Sequence, residues 1–169
     1  MVSVTKVLAY IRRVTMALKE GDKAPGFSLP ASDGSTVTLK GLVGKKVVLY
    51  FYPKDNTTGC IKEACSFRDN DAALQQAGAV VLGVSKDSIK SHLGFVAKYN
   101  LPFNLLSDED VQVATAYGAW GEKKLYGRVF MGMIRSTFLI DEQGDIAKAW
   151  LRVKAEGHGN EVLAAITGE

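Results

Sequence analysis

The chain has 169 residues, 47% of them hydrophobic and 23% charged, which is enough for one domain with a real core. The formal charge of +3 sits at the N-terminus: taking Lys6, Arg12 and Arg13 from the 21 basic residues leaves 18, equal to the 18 acids, so the body is neutral and offers no basic stripe for nucleic acid. No apolar run reaches the ~18 residues of a membrane-spanning helix, and two cysteines are too few for a disulfide scaffold; their closeness in sequence points to redox work.

Residues 1–17 read as an arm, and residues 18–169 as a single domain. The arm lacks the long apolar core and cleavage site of a secretory signal, so a cytoplasmic location is expected. It reads as a disordered or loosely docked extension, or as translated sequence upstream of a natural start at Met16. A short basic targeting or membrane-surface segment is the third reading. Ala24 to Pro30 is an extended, proline-bounded segment, Ser32-Asp33-Gly34-Ser35 a turn, and Thr36 to Leu39 a short alternating strand. Lys46 to Tyr52 is nearly continuous apolar, as in a strand buried on both faces, and Pro53 ends it. Helical spacing runs from Cys60 to Gln76, with Gly78 as its stop.

Ala79 to Val84 is a second buried strand. A helix follows from Ser85–Ser88 to about Lys98, with Ile89, Leu93 and Val96 sharing its inward face. Phe103 to Leu106 is a short strand, and Ser107 to Asp110 caps a helix through Ala116. Arg128–Met133 and Ser136–Asp141 read as hairpin strands around Ile134-Arg135, Asp145 to Val153 as a returning strand, and Asn160 to Thr167 as a final helix. Strands alternating with helices, then a late antiparallel pair, predict an α/β fold with a mixed central sheet and flanking helices.

The chemistry concentrates where a strand feeds a Pro/Asp/Asn/Thr/Gly loop that delivers Cys60 to a helix start. There, backbone N–H groups and the helix dipole favour a thiolate. A free cysteine is only ~3% thiolate at pH 7. A pKa near 6 raises that roughly 30-fold, but the weaker nucleophile gives back about 10- to 20-fold, a net gain of ~2-fold. An efficient enzyme therefore also needs positioning and charge stabilisation. Thr57 has a hydroxyl across the loop, Gly59 and Cys60 offer backbone N–H groups, and Pro53 can roof the sulfur. Arg135 is the candidate cation, because a charge interrupts an otherwise strand-like run.

Pro53-x-x-x-Thr57-x-x-Cys60 resembles the signature of peroxiredoxins. Tyr-Pro-Lys-Asp, Gly-Cys-Ile-Lys-Glu-Ala-Cys-Ser-Phe-Arg-Asp, Leu-Ser-Asp-Glu, Trp-Gly-Glu-Lys and Arg-Ser-Thr-Phe-Leu-Ile-Asp are similar to the bacterioferritin-comigratory-protein, or peroxiredoxin Q, branch. The resemblance covers the chain from about Leu18 to the end. It implies a thioredoxin-like fold with peroxiredoxin-type N-terminal additions, and reduction of hydrogen peroxide and organic hydroperoxides without a cofactor. By resemblance, Cys60 is the peroxidatic cysteine, and Pro53, Thr57 and Arg135 shield it, hydrogen-bond the peroxide and stabilise the anion. Cys65 matches a resolving cysteine that forms an intramolecular disulfide with Cys60, reduced in turn by thioredoxin or a similar dithiol. Branch members are often monomeric, which implies a monomer here. Glu63 matches an acid that orients the arginine, although its own pattern reads as an exposed helix residue. Ile61 stands where the family commonly has Thr, and a local packing change is expected there.

On an ideal helix, residues five apart have Cα atoms ~8.7 Å from each other, beyond the ~7 Å limit for a disulfide. If both cysteines are helical when reduced, residues 59–68 must unwind locally on oxidation. Other features carry less. His92 and His158 read as surface or capping residues, and no metal site is expected. Gly41 to Lys46 lacks the spacing of a phosphate loop. Tyr117, Trp120, Phe130, Met131 and Met133 line an apolar mouth or simply pack. Three alternatives remain: a one-cysteine peroxidase with a structural Cys65, a thiol-disulfide exchange protein, and a non-enzymatic binding module.

Overall fold

The computed structural model describes residues 18–168. The readings made for the arm, and Met16, lie outside the described residues. Two short strands, β1 (Ser28–Pro30) and β2 (Thr36–Thr38), pair antiparallel ahead of β3 (Lys46–Phe51). Helix α1 (Thr58–Gln76) leads to β4 (Ala79–Ser85), α2 (Ile89–Tyr99), β5 (Asn104–Ser107) and α3 (Gln112–Ala116). Strands β6 (Trp120–Leu125), β7 (Arg128–Met133), β8 (Ser136–Ile140) and β9 (Ile146–Leu151) follow, and α4 (His158–Thr167) closes the domain. The central sheet runs β5-β4-β3-β8-β9, with β3, β4 and β5 parallel and β8 and β9 antiparallel to their neighbours.

Central β3 explains its own composition. Val47, Leu49 and Phe51 enter one apolar layer with Phe27, Leu29 and Tyr117, while Val48, Tyr50 and Tyr52 enter the other with Cys60, Ala64, Phe67, Phe95 and Val162. The period of two thus feeds two cores, so every position after the half-buried Lys46 is apolar or aromatic. Helix α1 ends where Gly78 takes φ +80°, a conformation that costs glycine little. Helix α4 docks on α1 at Gly159, where a Cβ would lie 2.5 Å from the Ser66 carbonyl oxygen, so only glycine fits. Gly159 N donates to Ser66 Oγ at 2.9 Å and Asn70 Nδ2 to Asn160 Oδ1 at 2.8 Å, completing that contact.

Three expectations need correction. Strand β7 pairs with β6, not with β8: Tyr126 and Gly127 take φ +49° and +76°, the paired positive values of a two-residue hairpin turn. Fully buried β8 instead enters the central sheet between β3 and β9. Helix α2 is rotated from the expected face, leaving Leu93 51% exposed and burying His92 and Phe95. Both histidines are fully buried rather than on the surface: His158 Nε2 bonds Thr137 Oγ1 at 2.8 Å, its ring packs edge-on against Phe67, and burial pushes its pKa down. No helix among the described residues is long and apolar enough to cross a membrane.

Candidate active site

Cys60 lies in the first turn of α1, 1% exposed, just beyond the carboxyl end of β3. Antiparallel β8 begins where β3 ends, Ser136 pairing with Phe51, so Arg135 arrives beside the same helix terminus from 75 residues away. Arg135 Nη2 donates to Cys60 Sγ at 3.3 Å, and Arg135 Nη1 donates to Glu63 Oε1 at 2.8 Å. Gly59 makes room for this approach: a Cβ there would sit 3.0 Å from Arg135 Nη2. Burial opposes the charge on Arg135, but Glu63 and Cys60 outweigh it and raise its pKa further.

Glu63 is fully buried, which corrects the reading of an exposed helix residue. It falls three residues after Cys60, on the stripe that also buries Ala64 and Phe67. Its burial pushes the carboxyl pKa up to about 7, although Arg135 pulls the other way. One oxygen, Oε2, has no hydrogen-bond partner among the described residues.

Thr57 precedes α1 with an extended backbone and an exposed side chain, and its Oγ1 donates to the Lys54 carbonyl at 2.8 Å. That leaves the oxygen free to accept. Pro53 is half-buried at the start of the same loop. Cys65 is half-buried on α1, and both sulfurs are free thiols. The expected apolar mouth divides. Tyr117 and Met133 are core residues, Tyr117 donating to the Pro25 carbonyl, while Phe130 and Met131 are exposed on the β6–β7 hairpin and Trp120 is half-buried.

Lys123 ends the branch motif Trp-Gly-Glu-Lys, which assigned it no role. Its Nζ donates to the Met133 carbonyl at 2.8 Å, and its pKa is lowered by burial first and then by the charge of Arg135, with Cys60 opposing. A second cation thus feels the site. No spacing announced it, because only the hairpin brings it there. Ligand atoms of Asp55, Asp87 and His92 lie within 4.8 Å of one another, near enough for a metal ion. Both Asp55 oxygens and both His92 ring nitrogens are already engaged in hydrogen bonds, so the set is filled by protein partners. A cleft of about 720 Å³, walled by Val80, Val96, Leu101 and Phe103, opens at the amino ends of β4 and β5, away from Cys60.

A family model described as AhpC/TSA matches residues 20–149. A putative peroxiredoxin bcp of Coxiella burnetii is 52% identical over 151 residues, covering 89% of this chain and 100% of that protein. Peroxiredoxin Bcp of Bacillus subtilis is 46% identical, covering 89% and 96%. Among solved structures, peroxiredoxin Q of Xanthomonas campestris superposes with a TM-score of 0.80 at 42% identity, over 85% of this chain and 90% of that one. A cysteine-to-serine mutant of Xylella fastidiosa PrxQ superposes with a TM-score of 0.85 at 38% identity, over 90% and 98%. The mixed sheet and its flanking helices have the thioredoxin-like arrangement of these proteins.

Proposed function

The chain belongs to the AhpC/TSA family and is a thiol peroxidase of its Bcp, or peroxiredoxin Q, branch, and from that membership we propose that Cys60 is the peroxidatic sulfur and Cys65 its resolving partner. The observation that carries the proposal is the 3.3 Å contact between Cys60 Sγ and an Arg135 guanidinium that is itself anchored on buried Glu63.

The Cys60 thiolate attacks one peroxide oxygen and the O–O bond breaks. Sulfur is oxidised to sulfenic acid, and the other oxygen takes the electron pair and a proton and leaves as alcohol or water. Arg135 faces the sulfur and is placed to stabilise negative charge as it moves onto the leaving oxygen, the kind of donor whose loss costs about 10²-fold or more. Thr57 Oγ1, with the Gly59 and Cys60 amides, orients the peroxide, and Pro53 limits water at the sulfur. The Cys65 thiol then condenses with the sulfenic acid, giving a disulfide and water. A dithiol protein, thioredoxin or a relative, returns both sulfurs to thiols.

Hydrogen peroxide and organic hydroperoxides are the substrates. The bacterioferritin comigratory protein of Xanthomonas campestris, 42% identical, is described with alkyl peroxide reduction activity. One chain supplies Cys60, Cys65 and Arg135, so the cycle runs in a monomer, and a cytoplasmic reductant suits it. The half-buried position of Cys65, unpaired with Cys60 on the same helix, favours one rival reading, a one-cysteine enzyme with an external resolving thiol.

Stopped-flow peroxide consumption by wild type, Cys60→Ser and Cys65→Ser, with mass spectrometry of the products, tests both. The two-cysteine cycle requires an intramolecular disulfide in wild type, no reaction in Cys60→Ser, and a stalled sulfenic or over-oxidised Cys65→Ser. Full turnover of Cys65→Ser with a dithiol would assign the one-cysteine cycle.

A further inference from the structure

We propose that Asp55 and His92 form a buried positioning pair that fixes the loop between β3 and α1, and with it the alignment of Thr57 and Cys60 on peroxide. This rests on the peroxidatic assignment of Cys60 above. Residues 53–57 make few hydrogen bonds. The Thr57 hydroxyl bonds locally to Lys54, and the Thr57 carbonyl accepts from Ile61 of α1. Every other hydrogen bond from this stretch to the rest of the described residues passes through Asp55.

That single side chain, 5% exposed as a residue, gathers three donors. Tyr52 Oη donates to Asp55 Oδ1 at 2.6 Å, and Ser91 Oγ donates to Oδ2 at 2.8 Å. His92 Nδ1 meets Oδ2 at 2.8 Å. The Asp55 amide donates to Asp87 Oδ2 at 2.9 Å, and Asp87 is held by Ser85 Oγ at the end of β4 and Ser107 Oγ at the end of β5. The loop is thereby pinned to the carboxyl ends of two strands and the first turn of α2.

His92 decides the strength of the pin. Its Nε2 faces the Leu106 carbonyl at 3.0 Å, an acceptor only, so Nε2 donates. Its Nδ1 faces the Asp55 carboxylate at 2.8 Å, with the Tyr52 hydroxyl 3.4 Å away. A charge-assisted bond of this kind, fully buried, is stronger and more directional than a neutral one. Asn56, next in the loop, holds φ +62°, a left-handed turn state that asparagine tolerates better than most residues. The Asp55 anchor directly precedes this turn.

Two substitutions separate the two ring nitrogens. His92→Asn carries its amide N–H where Nδ1 stood and keeps a donor on Asp55; His92→Gln carries it where Nε2 stood and keeps only the Leu106 contact. The readouts are the second-order rate with hydrogen peroxide, the rate of Cys60 alkylation by iodoacetamide, and the thermal midpoint. For His92→Gln the peroxide rate is expected to fall by about 10²-fold while alkylation, which needs no fit to Thr57, stays within about threefold. His92→Asn is expected to recover most of the peroxide rate at a similar thermal midpoint. Should a His92 variant not fold, Ser91→Ala removes one donor from Asp55 and is expected to lower the peroxide rate selectively. An unchanged peroxide rate in His92→Gln, or a parallel fall of both rates in both variants, overturns the pair's role. Wild type no faster than free cysteine would remove the Cys60 assignment as well, so the two failures are distinguishable.

Discussion

Glu63 gives the fold a pH dependence of its own. Burial raises its folded pKa from 4.5 to about 7, against the pull of Arg135. A carboxyl raised in this way binds its proton more tightly folded than unfolded. Its contribution to stability is full below about pH 4.5 and is lost as pH rises through about 7. The loss amounts to about 3 kcal/mol. Glu63→Gln keeps an acceptor for Arg135 but removes the titration. We expect the stability of wild type, measured by urea unfolding, to fall relative to Glu63→Gln between pH 5 and pH 7.5. Parallel curves would show that Glu63 does not titrate there. At this scale the sequence carried Cys60 and Arg135 clearly, one because a turn-rich loop ends on it and the other because a charge broke an apolar strand. Glu63 was legible only as a family position, although Cys60, Glu63, Ala64 and Phe67 share the i, i+3, i+4, i+7 stripe. A carboxylate on an apolar stripe reads as an exception until its partner is known, and Arg135 is 72 residues away. His92 was lost to Leu93 for the same reason: hydrophobicity favours leucine, and only its distant partners, Asp55 and the Leu106 carbonyl, make the histidine buriable.

The elements were legible where one hydrophobic period ran without competition. Strands β3 and β4 and helix α1 match their apolar patterns to within about two residues. Strand β6, Trp-Gly-Glu-Lys-Lys-Leu, has no such pattern, because it pairs only with β7 and faces solvent over much of its length. Its absence from the sequence reading forced β7 onto the wrong partner. Helix α1 carries a different consequence. Cys60 and Cys65 lie in one continuous helix, yet ideal helical geometry holds residues five apart beyond disulfide reach. We expect peroxide to raise amide hydrogen exchange over residues 59–65 in wild type and not in Cys65→Ser. Equal protection in reduced and disulfide forms would rule out unwinding. The rearrangement has a natural boundary at Ser66, where Gly159 of α4 presses on the helix, and Phe67, stacked on Tyr50 with centroids 4.6 Å apart, reinforces it.

Over the whole molecule, stability is concentrated in the two layers around β3, and the hairpin β6–β7 stands outside them. Phe67 is fully buried against Tyr50 and His158, whereas Val129 is 56% exposed. Phe67→Ala should cost about 3–5 kcal/mol, and Val129→Thr no more than about 0.5 kcal/mol, both read by urea unfolding. Comparable losses would mean that the hairpin is part of the cooperative core. The order of the strands has a further consequence for biosynthesis. Cys60 is made early and its guanidinium 75 residues later, on the strand that fills the gap beside β3. A nascent chain therefore carries Cys60 without its guanidinium contact while β8 is still unmade. On the role proposed for Arg135, the charge stabilisation that peroxide reduction needs arrives only with the finished sheet.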